Sequence, residues 1–401
     1  MIKRNPHFSS LLPNYLFEEI GLRKKAYLER HPEKHLLDLG LGDTTLPLSP
    51  VVVRSIQEFA EKMGKKESYK GYGPTSGSVE LKRGISERFY AGIVSAEEIF
   101  ISDGAKCDIG RLQLLFGDDV TVALQDPVYP VYLDGSLLQG VAPQNIFRLP
   151  CTPENQFFPD LSLAKGVDVL YFCSPNNPTG AAATHEQLQE LVSFAKKEGT
   201  LIIFDAAYSC FIQDINLPKS IFEIPGAEEV AIEVNSFSKF AGFTGVRLGW
   251  TVVPKELRYP GGESIYQDWI RATDIVFNGP SNLSEAAGKA VLSEEGFKAC
   301  KEQVATYQKA LHEFERLREI PSYTLFAGTN APYAWIRVEG KSSWDLFDEL
   351  LNECQIVSVP GAGFGSAGEG FVRLSAFAGV EVVRQACDAL LDYASESIIQ
   401  S

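Results

Sequence analysis

The stretch Ser236-Phe237-Ser238-Lys239-Phe240-Ala241-Gly242-Phe243-Thr244-Gly245-Val246-Arg247-Leu248-Gly249-Trp250 decides how the rest of this chain reads. One lysine stands among small and hydroxyl-bearing residues after an apolar run at 230–234, and an arginine precedes the next β-type run. A lysine amine forms a Schiff base readily where it is held still, partly desolvated and close to other positive charge, so that its pKa falls towards neutrality. Ser236, Ser238 and Arg247 are what a phosphate needs beside such an amine: two hydroxyl donors and a guanidinium fork. Alone, Ser-x-Ser-Lys more often marks an ordinary surface lysine after a strand. Four further segments reverse that balance.

The 401 residues are enough for one large domain with a smaller one attached. Hydrophobic residues at 45% and charged residues at 22% fit a soluble globular protein. A net charge of -15 argues against a nucleic-acid surface, which requires clustered Lys and Arg. There is no basic leader with an apolar core and no apolar run of membrane-spanning length, so a cytoplasmic protein with no membrane partner is expected. Seven scattered cysteines without a C-x-x-C pair suit reduced, mostly buried thiols. His31 and His35 are four apart, but Pro32 breaks the helix that would align them, so no metal is expected.

The organisation follows from periodicity. A Pro-punctuated arm at 8–16 leads to a helical stretch at 18–30 and a strand-like run at 36–41. Helical periodicity then covers 51–63 and 79–90, and short apolar runs at 99–102, 120–124, 169–173, 201–204 and 230–234 are separated by helical segments. Such alternation implies a mainly parallel sheet covered on both faces. Thr184 to Gln187 fits a capping box, with Gly199 closing that helix. Helices over 282–318 lead to an α+β tail: strand 334–338, helix 343–354, short strands at 356–359 and 371–375, and a helix at 380–394. The expected division is residues 1–48 as an arm joined to a small domain, 49–290 as the large domain and 291–401 as the small one.

Ligands of open parallel sheets gather at the carboxyl ends of the strands, and the unusual residues fall there. Ser102-Asp103-Gly104-Ala105-Lys106 is a Gly-containing turn opening a helix, whose free N–H groups suit a phosphate, although such turns are often only structural. In Asp126-Pro127-Val128-Tyr129-Pro130-Val131-Tyr132 the prolines hold Tyr129 where its ring could stack on a planar heterocycle or simply pack in the core. Ser174-Pro175-Asn176-Asn177-Pro178-Thr179-Gly180 keeps Asn177 extended, its amide free to face a cleft. Asp205-Ala206-Ala207-Tyr208 ends a central strand in a carboxylate that needs a partner, for which a protonated ring nitrogen serves well. A capping Asp with a packed Tyr is the plain alternative.

Taken together and in this order, the segments resemble the fold-type I pyridoxal-phosphate aminotransferases. That resemblance implies an α/β fold with a seven-stranded, mainly parallel sheet in the large domain and a smaller α+β domain. It implies pyridoxal 5'-phosphate bound by Lys239, with Asp205 at the ring nitrogen, Tyr208 and Asn177 at the ring hydroxyl and Tyr129 stacked on the ring. The amides of Ala105 and Lys106, with Ser236, Ser238 and Arg247, would hold the phosphate. Arg373, in Phe371-Val372-Arg373-Leu374-Ser375, matches the arginine that pairs with the substrate α-carboxylate; Tyr15, Gly42, Lys106 and Asn278 match positions around the substrate. Tyr72 matches a tyrosine that reaches the phosphate from a second subunit, which implies a homodimer with shared active sites.

Longer phrases, including residues 42–45, 102–111, 126–132, 151–160, 237–254 and 370–377, are similar to the LL-diaminopimelate aminotransferases within that family. Two departures stand out: many of those enzymes carry glutamate where this chain has Leu46, and Glu-Gln where it has Thr75-Ser76. Losing a carboxylate removes a charge-assisted contact, so a less selective distal end is expected. The rival readings are an aminotransferase for aromatic, aspartate or alanine-type substrates, a β-lyase, and a sensor domain, which would need a basic DNA-binding segment that this acidic chain lacks.

Overall fold

The computed structural model describes residues 2–11, 16–327 and 329–400. After a two-residue strand β1 (Leu37–Asp38), seven strands form the main sheet: β2 (Ile99–Ser102), β3 (Val122–Asp126), β4 (Ile146–Pro150), β5 (Val169–Cys173), β6 (Leu201–Asp205), β7 (Ala231–Ser236) and β8 (Gly249–Val252). Their order is β2-β8-β7-β6-β5-β3-β4. Only β8 runs antiparallel to its neighbours.

The strands read as continuous apolar runs because both faces are covered. Side chains alternate between faces: Val169, Tyr171 and Cys173 of β5 join one buried cluster, Leu170 and Phe172 the other. β6 is the middle strand of the seven, so Asp205 at its end is buried, as its position in the sequence implied. The capping box is also present: Thr184 Oγ1 accepts from Gln187 N–H at 3.2 Å, and Gln187 Oε1 accepts from Thr184 N–H at 2.9 Å. Gly199 closes that helix, His185–Glu198, at φ 75°.

Two strands carry no clear signal in sequence. β4 lies at the sheet edge with Phe147 and Arg148 exposed, so its apolar run is broken. The other is β9 (Tyr323–Ala327), which pairs with β10 (Tyr333–Val338). The run expected at 36–41 pairs only over β1, parallel to β11 (Ile356–Val357). With β12 (Val359–Pro360) and β13 (Phe371–Ser375), a second, antiparallel sheet has the order β12-β13-β10-β9. Helices Ser343–Cys354 and Val380–Gln400 pack on it through Leu346, Leu350, Val383 and Cys387, the second running beyond the expected 394.

The connection between β12 and β13 meets the main sheet at Asp126. Its carboxylate, at the end of β3, accepts from Ser366 Oγ at 2.8 Å and Ala367 N–H at 3.1 Å, and Val128 N–H donates to Phe364 O at 3.0 Å. A Cβ on Gly365 would lie 1.9 Å from Asp126 Oδ1, so this contact requires glycine. Among the described residues the cysteines form no disulfide, no three His, Cys, Asp or Glu residues are grouped to hold a metal ion, and no helix is long and apolar enough to cross a membrane.

Candidate active site

The carboxyl ends of β3, β5, β6 and β7 open into a cavity of about 400 Å³. Lys239 enters it from the short helix Phe237–Phe240 that follows β7. Phe237 and Phe240 are buried beside Phe89 and anchor that turn, while Ser236 Oγ accepts from Ser238 N–H at 3.0 Å and starts it. Lys239 Nζ donates to Gly42 O and lies 5.1 Å from the Phe377 ring centroid. Burial, with the charges of Arg373 and Arg247 adding to it, pushes this amine down to about 8 against the pull of Asp43 and Cys210. That is the partly desolvated lysine the sequence called for.

Asp205 faces the same space. Its Oδ2 accepts from Tyr132 O–H at 2.7 Å and its Oδ1 from Ala207 N–H at 3.0 Å. Burial pushes the carboxyl upward, and Tyr132, Ala207 and the Lys239 charge pull it back. A buried acid with lone pairs left over favours a cationic partner.

The anion cradle forms where three segments crowd together. Gly104 adopts φ 120°, and a Cβ there would stand 2.4 Å from Arg247 Nη2. A Cβ on Gly249 would stand 3.0 Å from Ala105 N. Arg247 itself takes φ 67°, an unusual conformation for a side-chain-bearing residue, and its Nη1 reaches Ser238 Oγ at 3.4 Å. Ala105 and Lys106 open the helix Ala105–Leu112, so their N–H groups have no partner within it.

Arg373, on β13, is 1% exposed. Its Nη1 donates to Asn177 Oδ1 at 2.6 Å and its Nη2 to Gly40 O at 3.1 Å, while its buried Nε has no partner among the described residues. Asn176 instead closes the turn, accepting from Thr179 Oγ1 at 3.1 Å, so of the two asparagines Asn177 faces the cavity. Gly42, Ala105, Lys106, Tyr129, Tyr208, Ser236 and Ser238 also line it.

An amine, an acid and a buried arginine around one cavity form a site for amino-group chemistry on a carboxylate-bearing substrate. A family model described as "Aminotransferase class I and II" matches residues 34–390. The chain belongs to that family. It is 50% identical to the LL-diaminopimelate aminotransferase of Protochlamydia amoebophila (strain UWE25), with 94% of each chain covered. It is 47% identical to the chloroplastic LL-diaminopimelate aminotransferase of Arabidopsis thaliana, covering 96% of this chain and 86% of that one. The solved L,L-diaminopimelate aminotransferase from Chlamydomonas reinhardtii superposes with a TM-score of 0.94 at 46% identity, with 98% of each chain covered.

Two of the expected residues do not line this aminotransferase's cavity. Tyr72 is 87% exposed and Asn278 is exposed as well. Both sit on one surface: Asn282 Nδ2 donates to Gly71 O at 2.8 Å, and Gly279 packs so closely on Pro74 that a Cβ would meet its carbonyl oxygen at 2.8 Å. Tyr15 lies outside the described residues. Leu46 packs on the cluster around Tyr307 and Phe377, not on the cavity, and its N–H donates to Tyr307 Oη at 2.8 Å. Conversely, Tyr132, Tyr333, Asp43 and Thr244 line the cavity without having been singled out. Tyr132 closes the phrase that drew attention to Tyr129, but its partner Asp205 is 73 residues away and only the fold pairs them.

Proposed function

We propose that this aminotransferase exchanges an amino group between LL-2,6-diaminopimelate and 2-oxoglutarate, forming L-glutamate and a keto product that cyclises to tetrahydrodipicolinate. In the reverse direction glutamate is the donor, and the reaction serves diaminopimelate and lysine biosynthesis. The names of the relatives support LL-diaminopimelate as one of the two substrates. What carries the reading is the convergence of Lys239, Asp205 and Arg373 on one cavity. The resident cofactor is pyridoxal 5'-phosphate, and the site fits it: a depressed lysine amine, a cradle that a Cβ at Gly104 would fill, and a buried acid open to a cationic ring.

When bound, pyridoxal phosphate supplies an electron-accepting ring that stabilises the carbanion left when the substrate α-proton departs. Lys239 would hold the cofactor; once displaced by the substrate amine, its free Nζ would take the α-proton, an exchange that a pKa near 8 favours close to neutral pH. Asp205 would keep the ring nitrogen protonated. Tyr129 would lie on the ring, and Tyr208 and Asn177 would meet its hydroxyl. Ala105, Lys106, Ser236, Ser238 and Arg247 would hold the phosphate. Arg373 would exchange its Nη1 bond to Asn177 for the substrate α-carboxylate. Gly42, Lys106, Tyr129 and Asn177 border the bound substrate.

Gly104→Ala tests the cradle. The added methyl displaces the Arg247 guanidinium, and losing one charge-assisted contact costs about 1.5–3 kcal/mol, or roughly 10- to 100-fold in affinity. A fluorescence titration of cofactor-free protein should show that loss for pyridoxal phosphate and little change for unphosphorylated pyridoxal. Equal losses for both would place the phosphate elsewhere.

The active unit is a homodimer working in the cytoplasm. Tyr69, Tyr72, Ile275 and Val276 are exposed on the surface shared by Tyr72 and Asn278, and a second copy covering it would bring those two residues to the neighbouring site. The unpaired cysteines support the compartment. The distal end is less selective, because neither Leu46, which packs outside the cavity, nor Thr75-Ser76 supplies a carboxylate to it. The deciding experiment mixes the loaded enzyme with single amino acids and follows the cofactor's visible absorbance. Fastest conversion by aromatic, aspartate or alanine donors overturns the substrate assignment, exclusive use of the LL isomer removes the relaxed selectivity, and release of pyruvate and ammonia without a keto acid marks a lyase.

A further inference from the structure

Tyr333 has no role in the site as assigned, yet it touches three of its parts. It is fully buried on β10, diagonal to Arg373 across the pairing with β13, where Tyr333 faces Ser375 and Trp335 faces Arg373. The Arg373 guanidinium carbon lies 4.3 Å from its ring centroid. Its hydroxyl is 2.8 Å from that of Tyr208. Gly180, at φ 73°, closes on its main chain so tightly that a Cβ would stand 3.0 Å from Tyr333 O.

We propose that Tyr333 is a positioning residue: polarised by Arg373, its hydroxyl donates to Tyr208 and so leaves the Tyr208 proton directed at the cofactor's ring hydroxyl. The inference rests on the cofactor reading above. A pair of phenols shares one hydrogen between their oxygens, and whichever donates frees the other's proton. The charge on the Tyr333 ring face makes that phenol the better donor. Burial raises the pKa of both and Arg373 holds both back, while the contact between them raises Tyr208 and lowers Tyr333. Cys173 acts on both phenols, in the same direction. The pair therefore joins the carboxylate-binding arginine of one sheet to the cofactor contact of the other.

The test is a double-mutant cycle read by the pH midpoint of the bound cofactor's absorbance. Donation from Tyr208 withdraws electron density from the ring hydroxyl oxygen and favours the uncharged form of the Lys239 nitrogen. Tyr333→Phe keeps the ring against Arg373 and removes only the hydroxyl, so the midpoint should rise by roughly half to one pH unit, the worth of one neutral hydrogen bond. In a Tyr208→Phe background the same change should produce no shift. An unchanged midpoint in Tyr333→Phe, or an equal shift with and without Tyr208, overturns the proposal. The same cycle on the melting of cofactor-free protein measures the Tyr208–Tyr333 coupling without the cofactor, and zero coupling there also counts against it. If the parent protein takes up no pyridoxal phosphate, or Lys239→Ala keeps the same pH-dependent band, the cofactor reading fails and this proposal with it. If parent and variant both load and their midpoints coincide, only the role of Tyr333 is lost.

Discussion

Replacing Lys239 with alanine should lower kcat by at least about 10⁴-fold, because one side chain supplies both the covalent anchor and the proton transfer. Circular dichroism should be unchanged, since the turn is held by Phe237 and Phe240 and not by the amine. The pH dependence gives a second measure. An ordinary lysine at pH 8 is less than about one per cent uncharged, whereas an amine with its pKa near 8 is about half uncharged. Cofactor-free protein should therefore capture pyridoxal phosphate at a rate that climbs with pH and levels off above about 8. The sign for stability follows from the same shift. Burial disfavours the cation in the fold, so the protein gains stability as pH rises from about 8 towards the unfolded value of 10.5. Normal steady-state rates in Lys239→Ala, or a capture rate still climbing at pH 10, would contradict the assignment.

Asp205→Asn should be the next most damaging change, lowering kcat by roughly 10²- to 10³-fold, the worth of a buried charge pair broken on one side. Asparagine keeps the size and an acceptor for Tyr132 O–H, so the fold around β6 persists; the charge and the acceptor for Ala207 N–H are lost. Because burial raises the Asp205 pKa, its ionisation weakens the cofactor-free fold as pH rises through that pKa. The variant should thus melt no lower than the parent at neutral pH when both are cofactor-free, while turning over far more slowly. That opposition between stability and rate is expected of a group held for chemistry. A variant that melts lower and keeps its rate would make Asp205 a structural residue.

The sequence carried the fold wherever a local signal and a tertiary need coincide. The helices Val79–Tyr90 and Ser343–Cys354 begin and end where periodicity places them. The central strands are unbroken apolar runs because helices cover both faces. β4 is missed because an edge strand exposes Phe147 and Arg148 and so carries no such run. At the site, chemistry-bearing residues at strand ends announce themselves, as Asp205, Asn177 and Lys239 do. Tyr132 and Tyr333 do not, since a phenol that supports another side chain looks like core until its partner is known. Tyr72 and Asn278 show the reverse: their motifs are plain, but the fold leaves both at the surface.

The seating of Asp126 against Ser366 and Ala367 has a mechanical corollary. The two sheets are joined there by a half-buried pin and, across the cavity, by the Arg373–Asn177 and Tyr208–Tyr333 bonds, the first of which a carboxylate bound as proposed would compete for. A swing of the four-stranded sheet would turn about the contact at residue 126 and strain the bond at residue 373.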